Sequence, residues 1–120
     1  MNSKIEYLRN KGVDVDTGIS NMMDFETYDE MLNEFYDSIP EEASKIDGFK
    51  NQGDMPNYAI LVHAMKSNAR SFGFMKLGEI AYNHEMASKA NDINYVNENY
   101  SLLTDAIKEV QSIIEEYKTI

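Results

Sequence analysis

Apolar side chains recur every three to four residues along most of this 120-residue chain, the spacing of helices that bury one face. No stretch alternates apolar and polar residues with the period of a half-buried strand. The longest regular run is Ile93, Val96, Tyr100, Leu103, Ile107, Val110, Ile114 and Tyr117. It predicts one uninterrupted helix from about Asn94 to Lys118, with a seam facing near-antiparallel neighbours. Single apolar faces also predict a helix from about Pro56 to Phe72, through Tyr58, Leu61, Val62, Met65 and Ala69, and another from about Met75 to Lys89, through Leu77, Ile80, Ala81 and His84. A helix starting near Phe25 carries Tyr28, Met31, Leu32, Phe35 and Ile39 on one face. Pro40 is expected to kink or break it, because proline lacks the N–H and clashes with the preceding turn. Helical character is expected to resume from Glu41 to about Asp47, ahead of Gly48.

Punctuation between these runs sets the connections. A short helix at Lys4 to Asn10 is closed by Gly12, and Val13 to Asp24, holding Gly18, Asn21 and several acids, reads as a loop. Asn51 to Asp54 is a turn, and Met55-Pro56 after it is a good helix start. Gly73 ends or bends the helix before it. Short connections between single-faced helices predict an all-α fold: an up-down antiparallel four-helix bundle with a short extra N-terminal helix. The expected organisation is one domain over residues 1–120, with the bundle core at about 25–118 and an N-terminal cap at 1–24.

Charge narrows the function. Eleven Lys and Arg face 21 Asp and Glu, for a net charge of −10, which argues against nucleic acid or anionic lipid as the main partner. The absence of cysteine excludes disulfides and thiolate metal sites and fits a reducing compartment. No apolar run approaches the ~18 residues of a membrane span, and Met1-Asn2-Ser3-Lys4 lacks the apolar core of a secretory signal. A soluble, cytoplasmic protein is expected. Against this acidic background, Met55 to Gly78 contains no acid at all. Its only formal charges are Lys66, Arg70 and Lys76, so that window carries +3 and the remainder −13.

His63, Lys66 and Arg70 share one helical stripe inside that window, with small residues at Ala59, Ala64 and Ser67. A histidine that accepts a phosphoryl group must be exposed, neutral and held in one tautomer, and an unperturbed imidazole titrates at about 6.5. The phosphorylated ring carries an anion of roughly −2, which neighbouring cations then stabilise. His84, by contrast, lies on the apolar line of its helix and reads as a core residue.

The run His-x-x-Lys-Ser-Asn-Ala-Arg-x-x-Gly-Phe, here His63 to Phe74, resembles the signature of histidine-containing phosphotransfer (HPt) domains, relay modules of bacterial and fungal multistep two-component signalling. Phe25 to Tyr28, Met31-Leu32, Phe35 and Pro40 resemble the family's first bundle helix, and Leu77, Ala81 and Glu85 fall at the family's spacing after the glycine. The resemblance covers about residues 12–118. It implies that His63 is the phosphoacceptor through Nε2, that Lys66 and Arg70 hold the phosphoryl oxygens with Ser67 as a further contact, and that Glu85 accepts the Nδ1–H. Gly73 would close the helix, and Ala59, Ile60, Ala64, Phe74 and Lys76 would belong to the partner-docking face. Ser67 departs from the glycine that many members carry after the lysine.

The resemblance further implies a phosphocarrier rather than an enzyme, with no metal or cofactor of its own. Mg²⁺ is expected in the partner, a response-regulator receiver domain, and a hybrid sensor histidine kinase is a second candidate partner. No nucleic acid or membrane contact is implied, and a monomer is expected. Three other readings compete with this one. The dimerisation helices of a sensor kinase begin with a pair like His84-Glu85, but Met86-Ala87-Ser88-Lys89 lacks the rest of that motif. A di-iron bundle needs Glu-x-x-His pairs, and neither histidine has glutamate three residues before it. A helical module that docks signalling partners without phosphotransfer is the remaining alternative.

Overall fold

A computed structural model describes residues 2–120. Among them the chain forms α1 (Ser3–Asn10), α2 (Val15–Met22), α3 (Phe25–Gln52), α4 (Met55–Phe72), α5 (Met75–Lys89), α6 (Ile93–Glu98) and α7 (Tyr100–Tyr117). Most helices start where a short polar side chain can accept an orphan N–H of the first turn. Asn2 accepts from Lys4, Asp14 from Thr17, Asp24 from Thr27, Asp54 from Asn57 and Asp92 from Tyr95. α3 and α4 stop at Gly53 and Gly73, both in the left-handed conformation that lets a chain turn out of a helix.

α3 packs on α4 and α7, and α5 packs on the same two helices, which closes the four-helix ring. Leu32, Ile39, Tyr58, Val62, Met65, Leu77, Ala81, Leu103, Ile107 and Ile114 are buried at its centre. At 28 residues α3 is about 42 Å long, close to the 47 Å long axis of the molecule. The expected all-α bundle is therefore observed, with α1 packed against α7 and α2.

Three expectations need correction. Val13 to Asp24 is not a loop, because α2 occupies most of it. Val15 and Gly18 are buried there, and a Cβ on Gly18 would stand 2.5 Å from the Tyr28 ring and 2.8 Å from the Phe72 carbonyl. The glycine is a packing residue that lets α2 approach α3 and α4, not a turn signal. Pro40 does not break α3, which runs on past Gly48 to Gln52. Pro40 is exposed while Ile39 and Ile46 are buried, so the carbonyl deprived of an N–H can turn to water while both flanks stay fixed in the core.

The last helix is also not continuous. It breaks at Asn99, whose carbonyl accepts from His84 Nε2 at 3.0 Å and from the Leu102 N–H at 3.2 Å. The seam beyond the break is buried through Leu103, Ile107, Val110, Ile114 and Tyr117. Ile93 is exposed, and Tyr100 is half-buried with its hydroxyl on Asp47.

His84 is a core residue, 1% exposed. A carbonyl can only accept, so Nε2 carries the proton and Nδ1 accepts from the Tyr58 hydroxyl at 2.8 Å. Burial pushes its pKa below the ordinary value, with the bond to Asn99 acting in the opposite direction. The unfolded chain then binds a proton that the folded chain refuses. Stability is expected to be full above about pH 6.5 and to fall as the pH drops below it. Urea midpoints measured between pH 7.5 and 5 check this, and His84→Gln should flatten the slope.

Candidate functional site

The α4–α5 hairpin builds the site. Antiparallel packing sets the outer stripe of α4, with His63, Lys66 and Arg70, beside Tyr82, Glu85 and Lys89 of α5. His63 is 56% exposed, whereas the Glu85 side chain beneath it is 3% exposed. Glu85 Oε2 lies 2.8 Å from His63 Nδ1 and 2.7 Å from Lys89 Nζ. Lys66 Nζ approaches the other oxygen, Oε1, at 2.6 Å. That approach is off the hydrogen-bonding direction, so Oε1 is satisfied by charge more than by a directed bond.

Burial alone would raise the Glu85 carboxyl. Contacts with Lys66, Lys89 and His63 outweigh it and hold the group down at about 2. These three side chains cover the carboxylate themselves, so it is shielded from water without lying deep in the core. An ionised carboxylate can only accept. The Nδ1 of a neutral His63 must therefore be the protonated nitrogen, and Nε2 keeps its lone pair. Nε2 has no hydrogen-bond partner among the described residues, and the ring stands half in solvent.

The cations are braced by an aromatic ring. Lys66 Nζ and the Arg70 guanidinium lie 5.6 and 5.5 Å from the centroid of Tyr82, within cation–π range. The Arg70 stem crosses Gly78, where a Cβ would stand 2.7 Å from Cγ. Arg70 forms no ion pair among the described residues, so its five N–H donors face no competing carboxylate.

The family model for the Hpt domain matches residues 30–113. The chain belongs to the Hpt domain family. No curated protein and no solved structure gives a match. Hpt domains are phosphocarrier modules that interact with receiver domains and kinases, and the matched span contains α4, α5 and every side chain of the site. No helix among the described residues is long and apolar enough to cross a membrane.

Several residues read from the sequence converge in this Hpt domain and others do not. His63, Lys66 and Glu85 form one contact network, Arg70 borders it through Tyr82, and Ser67 is exposed on the same stripe. Glu85 is not a solvent-facing helix acid. Ile60 is 64% exposed and Ala64 half-buried beside His63, and Ala59 is buried on the floor of a groove of about 620 Å³ that also includes Met55, Pro56 and Lys89. Phe74 cannot serve as a docking residue, because it is buried against Phe35 in the core. Lys76 pairs with Glu109 of α7 and lines a separate cleft with Lys11. The open surface beside His63 thus extends toward the start of α4, not toward Phe74 and Lys76.

Sequence reading missed Tyr82, Gly78 and Lys89. Lys89 had a signal, since it follows Glu85 by four residues on one helix face. His84 is excluded as an exposed acceptor by its burial, which removes the sensor-kinase reading of His84-Glu85.

Proposed function

We propose that this Hpt domain relays a phosphoryl group between His63 and the aspartate of a receiver domain. The observation that carries the reading is the half-exposed His63, held through Nδ1 by an ionised, shielded carboxylate. The free Nε2 lone pair attacks the phosphorus of the partner's aspartyl phosphate. The Nε2–P bond forms as the P–O bond to the aspartate breaks, and the aspartate leaves as a carboxylate. Positive charge grows on the ring during attack, and Glu85 is placed to stabilise it through Nδ1–H, as the aspartate of a hydrolase triad stabilises its histidine.

Lys66 retains donors beyond the contact with Glu85, and with Arg70 it can neutralise the phosphoryl oxygens. Ser67 is near enough along the stripe to add a hydroxyl contact. The receiver supplies Mg²⁺, and this chain supplies the nucleophile and its setting. Ile60, Ala64 and the groove beside them form the docking surface, with Arg70 and Lys66 attracting an acidic partner.

Incubation with a phosphorylated cognate receiver is expected to label the protein at a base-stable, acid-labile position that maps to His63. His63→Gln should abolish labelling, whereas His84→Gln should retain it wherever it remains folded. Label that persists without His63 would overturn the assignment. Receiver binding with no transfer at any receiver tested would favour the docking module instead.

A further inference from the structure

Glu85 serves two groups at one oxygen. Oε2 receives His63 Nδ1 at 2.8 Å and Lys89 Nζ at 2.7 Å, while Oε1 faces Lys66. The titratable groups in contact with this carboxylate are therefore His63 and Lys66 from α4 and Lys89 from its own helix. No other cationic side chain lies within ion-pair distance of it among the described residues. A cation on Oε2 withdraws electron density from the atom that holds the imidazole proton. The carboxylate is 3% exposed, so water moderates this competition only from the side of the Lys89 ammonium.

We propose that Lys89 is a positioning residue of the relay, which weakens the hold of Glu85 on the His63 Nδ1 proton and so prolongs the life of the phosphohistidine. The proposal rests on phosphorylation at His63. In hydrolysis of the phosphorylated ring, a water oxygen bonds to phosphorus as the Nε2–P bond breaks, and the bonding pair stays on Nε2. The ring leaves as neutral imidazole only if Nδ1 carries a proton; otherwise it must leave as an anion. A stronger Glu85–Nδ1 bond favours the protonated ring and hastens loss of phosphate. Lys89 opposes this.

Lys89 is also placed to couple transfer to docking. Its side chain is 58% exposed and lines the groove beside Ile60 and His63. An acidic partner seated there would draw the ammonium off Oε2. Glu85 would then hold Nδ1–H more tightly at the moment of transfer.

A purely structural role is the competing account. Lys89 sits in the last turn of α5, where a cation complements the helix dipole, and its i,i+4 pair with Glu85 adds helix stability. Removing it would then lower the melting temperature and change nothing at His63. The test compares the wild type with Lys89→Met and Lys89→Arg, each also in a Glu85→Gln background. It reads the His63 Nδ1–H proton resonance and the lifetime of phosphohistidine formed with phosphoramidate, which needs no partner protein.

Lys89→Met is expected to move the resonance downfield and shorten the lifetime by about threefold, the size expected for a half-exposed charge contact. Lys89→Arg should restore both, and neither change should occur once Glu85 is glutamine. An unmoved resonance and lifetime in folded Lys89→Met, or the same changes without Glu85, would overturn the proposal. A shifted resonance in a protein that phosphoramidate never labels at His63 would instead overturn the phosphotransfer reading and leave the action of Lys89 on His63 standing.

Discussion

Glu85→Gln is expected to slow phosphoryl transfer to His63 by about 10- to 100-fold and to destabilise the fold by about 2 kcal/mol. The amide oxygen can still accept from Nδ1–H, so the tautomer survives. The negative charge does not, and the ring loses the group that stabilises its developing positive charge. Lys66 and Lys89 are left facing a neutral amide at 2.6 and 2.7 Å. Breaking a fully buried pair costs about 3–5 kcal/mol, but the exposed Lys89 can swing into water, which reduces the loss.

The pH dependence has the same sign for Glu85 and His84, loss of stability on acidification, and the two are separated by their pH windows. The Glu85 carboxyl, held at about 2 in the folded chain, ionises near 4.3 when unfolded. Its contribution is full above about pH 4.3 and is lost as the pH falls toward 2. Stopped-flow transfer assays and urea melts at pH 7 and 3 should show this segment vanish in Glu85→Gln. The separate loss below pH 6.5 from His84 should remain. Wild-type transfer rates in Glu85→Gln would show that the carboxylate has no part in the chemistry.

Gly73→Ala is expected to cost about 3 kcal/mol or more, lowering the melting temperature by roughly 10 °C. Gly73 has φ +94°, in the left-handed region that a Cβ disfavours, and an added Cβ would collide with the Asp14 carbonyl. Relief requires α2 to lift from the α4–α5 turn, which also breaks the 2.9 Å bond from the Asp14 N–H to the Gly73 carbonyl. Two glycines provide controls. Gly12 has φ +83° with nothing near its Cβ position, so alanine should cost only about 1 kcal/mol. Gly48 lies within α3 with open space around it, and alanine there should stabilise by about 0.5–1 kcal/mol. Calorimetry on the three variants measures the ranking, and an unchanged Gly73→Ala would mean that α2 yields freely.

These two sites show where sequence reasoning succeeds and where it stops. The stripe His63, Lys66, Arg70 follows from helical spacing alone, and the reach of Glu85 across the hairpin follows from its family register. That Lys89 shares the same carboxylate oxygen depends on rotamers and on the distance between α4 and α5. Gly73 was legible as a helix end, because a left-handed residue is what closes a helix. Its contact with Asp14 was not, since the two lie far apart in the chain and meet only through the packing of α2.

The sequence by itself determined the helical class, the inward faces of α4, α5 and α7, the glycine end of α4 and the cationic histidine stripe. All are properties of spacing within one segment, which local geometry converts directly into a face or an end. Only the tertiary structure decided that α2 is a helix, that α3 runs through Pro40, that the last helix breaks at Asn99 and that Phe74 is buried. Each of these depends on partners distant in sequence. The Tyr28 ring and the Phe72 carbonyl make Gly18 a packing residue, Ile39 and Ile46 hold α3 across the proline, His84 takes the Asn99 carbonyl, and Phe35 covers Phe74. Burial against a specific neighbour outweighs a local propensity of about 1 kcal/mol, and at Pro40 it offsets a penalty of about 3.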